Sequence, residues 1–329
     1  EIIRLSNGKR EVIIDGTLNG MGKCAGNLNT ELLVDYLVRK RNYDYDFDAI
    51  LDIIDDHIYN YHLQHQWGYS IPALMGGIYR SHPNNIIYLT EKFRLATKDI
   101  KYIISMIDPD KRMRYDYDNI QRLYQEYNHV KVDDKENLAL LERILKGKKI
   151  LLLMPGQSIS QYKDEILKKI EAENLFVITV NFRDETFDKY SELAFWGSQK
   201  RYEHYTDLRK EVTSLITSNI ESDMEDDIIV NYDSFVDRTQ EYSDNASLML
   251  MRILQRVGVV SYYVAGFDGF TVNGSYYNKT DFSEERFRSQ YDAINKGIAH
   301  QLSKFAESLD RPEDIEFITP SIYSNIFKR

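Results

Sequence analysis

Two largely apolar runs, residues 149–154 and 175–181, flank a helical stretch at 160–173. A run without polar alternation suits a strand buried on both faces, as in a parallel sheet covered by helices above and below. Strand, turn, helix and strand predict a βαβ unit. Shorter runs at 193–196, 215–218, 228–231, 262–265 and 315–318 continue the series, with helical patterns at 245–257 and 284–309. Alternation of this kind predicts a Rossmann-like α/β domain over 148–329 with a mostly parallel sheet.

The front of the chain has a different grain. Residues 11–15 (EVIID) have the composition of a strand, residues 16–27 are punctuated by glycine, and residues 30–39 have helical spacing. From 44 to 127 the apolar residues recur at helical intervals, at 47–61, 71–79, 83–93, 97–106 and 117–127, which predicts a small helical domain over 44–130. Pro72, Pro83 and Pro109 sit where first-turn prolines or helix breaks belong. Residues 131–147 are charged, with an amphipathic helix closed by Gly147, and read as a linker helix. The chain opens at Glu1 in what looks like the end of a helix running into a strand, so an upstream portion is expected.

Composition removes several classes of function. Forty-two Lys and Arg against 52 Asp and Glu leave a net charge of −10, a field that repels phosphate polymers and anionic lipid. Nucleic acid is therefore not an expected partner. The single cysteine cannot form an intramolecular disulfide, and no secretory signal pattern is present, so a reducing cytoplasm is expected. No apolar run approaches the roughly 20 residues of a membrane span.

The segment from Asp15 to Glu31 places Gly16, Gly20, Gly22 and Gly26 between the expected strand and helix. Such density permits positive φ and close backbone approach, to a ligand or to a neighbouring loop. The order Asp15, Gly20-Met-Gly22, Gly26-Asn27 and Glu31 resembles the closing strand and loop of the pyruvate aldolase and 3-hydroxy-3-methylglutaryl-CoA lyase superfamily. The resemblance implies that residues 1–43 are the end of a TIM barrel. It also implies that Asn27 is a ligand of a divalent metal, Mn or Mg, and that Cys24 is catalytic. The loop is, however, the short form of the hydroxy-oxovalerate aldolases, which generally lack that cysteine; a small buried side chain is the alternative for Cys24.

Trp67-Gly-Tyr-Ser-Ile-Pro, Gly77-Ile-Tyr and His82-Pro-Asn resemble the helical extension of the same aldolases, which implies an acid or lid role for Tyr69. The alternative is that Trp67, Tyr69 and Tyr79 pack the helical core. Absent from this chain are the superfamily's early-strand carboxylate and late His-x-His, which metal-dependent cleavage requires. His62 and His65, three apart in a polar stretch, read as a solvated helix face. Carbon-carbon cleavage of 2-oxo acids is thus expected of a longer parent protein and not of this chain alone.

In the second half, Met154-Pro-Gly-Gln-Ser-Ile-Ser joins a strand end to a helix start, where free amides suit a phosphate or a ribose hydroxyl. Ser158 or Ser160 as a helix cap is the alternative. The turn is followed by Val180-Asn-Phe, Phe195-Trp-Gly-Ser with Lys200-Arg201, Asp244-Asn-Ala-Ser, Ala265-Gly-Phe-Asp-Gly-Phe, Gly274-Ser-Tyr-Tyr and Thr319-Pro-Ser. Over residues 148–323 this series is similar to the bacterial lipooligosaccharide sialyltransferases and to related domains of surface-polysaccharide gene clusters. The likeness implies that Gly156, Ser158, Asn181, Ser198 and Asn245 surround a cytidine nucleotide or nucleotide sugar. It puts Tyr276 or Tyr277 on the phosphate, Tyr277 among the catalytic groups.

The family's general-base histidine follows that tyrosine pair, and residues 278–296 contain none; His300 lies on a helix beyond. Lys200 and Arg201 either neutralise a phosphate or stand solvated on a loop. The expected protein is the C-terminal portion of a metal-dependent aldolase fused to a nucleotide-sugar-binding domain, working in bacterial surface-polysaccharide synthesis. The alternatives are an active glycosyltransferase and a non-catalytic binding module. The expected partners are a small-molecule substrate or nucleotide sugar, and an open barrel edge would invite a homo-oligomer.

Overall fold

The computed structural model describes residues 2–6, 8–9, 11–93, 95–205, 210–237, 245–271 and 290–328. The chain divides into two units, Glu1–Thr90 with Thr97–Ile120, and Glu91–Ala96 with Gln121–Arg329.

The second unit is built on seven strands: β1 (Ile150–Leu153), β2 (Phe176–Val180), β3 (Ser191–Trp196), β4 (Ser214–Thr217), β5 (Ile228–Val230), β6 (Tyr262–Ala265) and β7 (Ile315–Phe317). They form one sheet in the order β5-β4-β3-β2-β1-β6-β7, and neighbouring strands pair in parallel throughout. Each apolar run of the sequence analysis is one of these strands. The runs are apolar because both faces are covered: Ile150 and Leu152 face a core with the helices Ala246–Arg256 and Tyr291–Glu307, while Leu151 and Leu153 face Ile166 and Ile170 of Lys163–Glu173. Alternate residues of a strand point to opposite faces, so one ILLL run feeds two cores.

Two expectations change here. The helix read as a linker, Lys135–Leu145, belongs to the core: Leu141 and Leu145 are buried in it, and the Asn137 amide donates to the Ile229 carbonyl at 2.8 Å. The stretch 160–173 is two helices, Ser158–Gln161 and Lys163–Glu173, meeting at Tyr162.

The first unit is helical: Thr30–Arg41, Phe47–Ile53 running through a π turn at Ile54–Ile58 into Tyr59–Gln64, then Ile71–Ile78, Pro83–Lys92 and Thr97–Ser105. The division between units falls inside the helix Tyr117–Tyr127. Residues 11–15 do not form the expected strand, and Ile13 is 82% exposed. A strand is held by its ladder, and a lone one is not stable; in this region the described residues offer only a single bridge, between Thr17 and Asn29. The strand of the barrel end expected over 1–43 is not seen among the described residues. Among the described residues, no helix is long and apolar enough to cross a membrane.

Candidate functional site

In an open parallel sheet, ligands bind outside the carboxyl ends of the strands where the strand order reverses. Here that point lies between β1 and β6: the chain steps outward from β1 to β5, then returns to β6 on the other side of β1. The loops after these two strands cross at very short range. Gly156 donates its N–H to the Gly266 carbonyl at 2.9 Å, and a Cβ on Gly156 would lie 2.4 Å from that oxygen. A Cβ on Gly266, whose φ is +74°, would lie 2.0 Å from the Met154 carbonyl oxygen. These glycines are required by the crossing itself.

The crossing is bolted by Asp268. Its Oδ2 accepts from the Ser158 N–H at 2.8 Å and its Oδ1 from the Ser158 hydroxyl at 2.5 Å. Burial raises the Asp268 carboxyl above its usual range, opposed by the hydrogen bonds from Ser158 and Gln157. The position expected to receive a phosphate therefore already holds a carboxylate. Both Ser158 donors are committed, and a second anion beside Asp268 is opposed by its charge. Nor is Ser158 a helix cap, since Gln157 occupies that position with no side-chain bond. The third loop closes behind: Thr319 Oγ1 accepts from the Gly266 N–H at 2.9 Å, and Ser321 Oγ donates to the Phe267 carbonyl at 2.5 Å.

A second group of the expected residues meets at the ends of β2 and β3. Asn181, left-handed at φ 58°, accepts from the Gly197 N–H through Oδ1 at 2.9 Å, while its carbonyl accepts from Arg201 Nη1 at 3.1 Å. Gly197 also lets the helix Ala246–Arg256 approach, since a Cβ there would lie 3.0 Å from the Ala246 Cβ. Asn245 caps that helix by accepting from the Leu248 N–H at 3.1 Å. Asn181, Ser198 and Asn245 thus stand around one strand end. The Ser198 hydroxyl is half-buried and makes no bond to the described residues. Arg201 is buried and tied to the β2 turn, not solvated, whereas Lys200 is exposed. Tyr276 and Tyr277 lie outside the described residues.

In the first unit the glycine loop folds on itself. Asn27 donates its N–H to the Gly20 carbonyl at 2.9 Å and its Nδ2 to the Met21 carbonyl at 2.9 Å. Glu31 accepts from the Asn19 N–H and the Asn29 Nδ2, and Trp67 Nε1 donates to the Asn19 carbonyl at 2.8 Å. Cys24 is half-buried at φ 58°, and its carbonyl accepts from Gly68. Tyr69 is 77% exposed and packs no core. His62 lies edge-on to Trp67 with Nδ1 buried, so it is not on a solvated face; His65 is exposed and rests on Tyr61. Among the described residues no three His, Cys, Asp or Glu side chains group as metal ligands. Asn27, exposed and with its amide nitrogen engaged, offers one oxygen, so the described residues do not by themselves hold the divalent metal implied by the aldolase resemblance.

The residue that sequence reasoning missed is Asp268. It stood in the quoted Ala265-Gly-Phe-Asp-Gly-Phe motif without a role, because its partner Ser158 is 110 positions away. No protein-family model, curated protein or solved structure matches the chain.

Proposed function

We propose that the sheet unit is a nucleotide-sugar-binding module of the cytidine-nucleotide class, serving bacterial surface-polysaccharide synthesis. One observation carries this reading. Gly156, Asn181 and Ser198, taken from three separate motifs, follow β1, β2 and β3 on the same carboxyl edge, next to the reversal of strand order. The Asp268–Ser158 bolt gives the reading a direction. The turn after β1 is a scaffold for the crevice, and the anionic part of the ligand belongs toward Ser198 and the capped start of Ala246–Arg256, away from the carboxylate.

The test is thermal unfolding with cytidine mono-, di- and triphosphate. A ligand at 100 times its Kd stabilises by about 2.7 kcal/mol, a clear rise in Tm; no rise with any cytidine nucleotide at millimolar concentration removes the reading.

A second reading concerns the first unit: that it is the closing segment of an aldolase-type lyase acting on 2-oxo acids, with the metal-binding carboxylate and histidines supplied from outside the described residues. It is favoured by the apolar side chains of Ile13, Leu28 and Leu32, which stand exposed as a barrel end would present them to neighbouring strands. Pyruvate release from 4-hydroxy-2-oxo acids by the complete parent protein, dependent on Mn or Mg, is the expected result; none under either metal ends it.

A further inference from the structure

The sugar-transfer form of the proposed function lacks a proton acceptor where the family likeness places one. The structure offers another on the same edge of the sheet. Asp233, in the turn after β5, accepts from Nδ1 of His129. In the neutral imidazole this bond holds the proton on Nδ1 and leaves the lone pair on Nε2, which has no partner among the described residues, on a side chain that is 44% exposed. A carboxylate on one ring nitrogen and an open second nitrogen is the arrangement of an oriented general base.

His129 is anchored to the edge through neutral groups. Ser218, after β4, donates its hydroxyl to the Val130 carbonyl at 2.5 Å, and Asn219 donates to the Asn128 side chain at 3.1 Å. The same β4 loop is joined to the β3 loop beside Ser198, since Gln199 Oε1 accepts from the Glu221 N–H at 2.7 Å. Loop by loop, the dyad connects to the proposed nucleotide crevice. β3 and β5 are two strand spacings apart, about 10 Å, a separation that an activated sugar bridges.

We propose that His129, oriented by Asp233, takes the proton from the hydroxyl of a carbohydrate acceptor; this rests on the nucleotide-sugar reading. The acceptor O–H proton passes to Nε2 while its oxygen bonds to the anomeric carbon. The bond from that carbon to the nucleotide phosphate breaks, and its electron pair leaves with the phosphate oxygen. The resulting imidazolium faces the Asp233 carboxylate. Charged groups on the elements that hold the dyad include Glu126, paired with Arg122, then Lys131, the Asp133–Lys135 pair, Asp134, whose carboxylate accepts from the Asn231 N–H, and Glu221 and Asp223 of the β4 loop.

The experiment measures cytidine monophosphate binding by calorimetry, and transfer from a cytidine-monophosphate-activated sugar acid to a galactoside, for the full chain and for His129→Asn and Asp233→Asn. Transfer is expected to fall roughly 100-fold or more in His129→Asn. The nucleotide Kd should stay within twofold in that variant. Asp233→Asn is expected to fall at least tenfold, with the same retained affinity. Transfer within threefold of wild type in His129→Asn overturns the proposal. So does a parallel loss of nucleotide affinity, which marks a structural brace, or a wild type that binds the nucleotide and transfers nothing. A wild type that binds no cytidine nucleotide fails at the earlier reading and takes this one with it.

Discussion

Asp268 is the residue through which pH should speak. Its carboxyl is raised above its unfolded range by burial, so the native state holds the proton more tightly than the unfolded chain. The sign follows from linkage: the stabilisation that comes with the bound proton is complete below the unfolded value, near 3.9, and is lost as pH climbs through the raised native value. Asp268→Asn keeps the shape and an acceptor for the Ser158 N–H but cannot titrate. The stability of wild type relative to Asp268→Asn, from urea unfolding between pH 4 and 7, should therefore decline with rising pH; a flat or rising difference contradicts the assignment. Asp268→Ala instead strands two donors of the nearly buried Ser158 and should cost about 1–3 kcal/mol. Tyr262 makes the opposite case. Its hydroxyl is buried in β6 with no hydrogen-bond partner among the described residues, and burial pushes the phenol up. Tyr262→Phe should be neutral or stabilising by about 1 kcal/mol, read as the shift in the urea midpoint.

At the scale of elements, Lys135–Leu145 decides between a linker and a structural helix. Leu141 is fully buried among the residues that cover β1 and β5. Leu141→Ala should cost about 2–5 kcal/mol, whereas a position in a solvated linker changes stability by less than about 0.5 kcal/mol; urea unfolding distinguishes the two. The sequence shows this helix but not its burial: charges mark its outer side, while Leu138, Leu140, Leu141, Ile144 and Leu145 pack on the core of the sheet unit. The strands were legible for the converse reason. β1 and β2 are covered on both faces, and such strands read as nearly unbroken apolar runs, Thr179 being the one polar residue of the two. Residues 11–15 show where such reading stops: EVIID has the composition of a strand, but strand formation depends on a neighbouring ladder, and composition carries no information about neighbours. The site divided in the same way. Asn181, Ser198 and Asn245 are named from a family resemblance, each through a short motif that is legible within its own segment. The Ser158–Asp268 bolt and the His129–Asp233 pair join residues 110 and 104 positions apart, and no local pattern marks them.

Over the whole molecule, apolar exposure is distributed very unequally. Of the 25 large hydrophobic side chains that stand exposed among the described residues, 22 fall between Ile2 and Tyr117, and only Val130, Val260 and Ile322 lie beyond. The helices from Thr30 to Gln64 bury a single hydrophobic side chain, Val34, whereas β1 and β2 bury every residue. Short helices draw most of their stability from packing and little from propensity, so this stretch should open locally far more often than the sheet. Amide hydrogen exchange on the intact chain reads that difference directly, since protection scales with the free energy of opening. Amides of residues 30–64 should exchange at least 100-fold faster than those of β1 and β2, a gap of about 2.7 kcal/mol or more at 1.36 kcal/mol per factor of ten. Equal protection would mean that the exposed tyrosines and leucines of the first unit are covered in solution. The exposed side chains of Ile13, Leu28 and Leu32 would then have to be treated as covered by a partner.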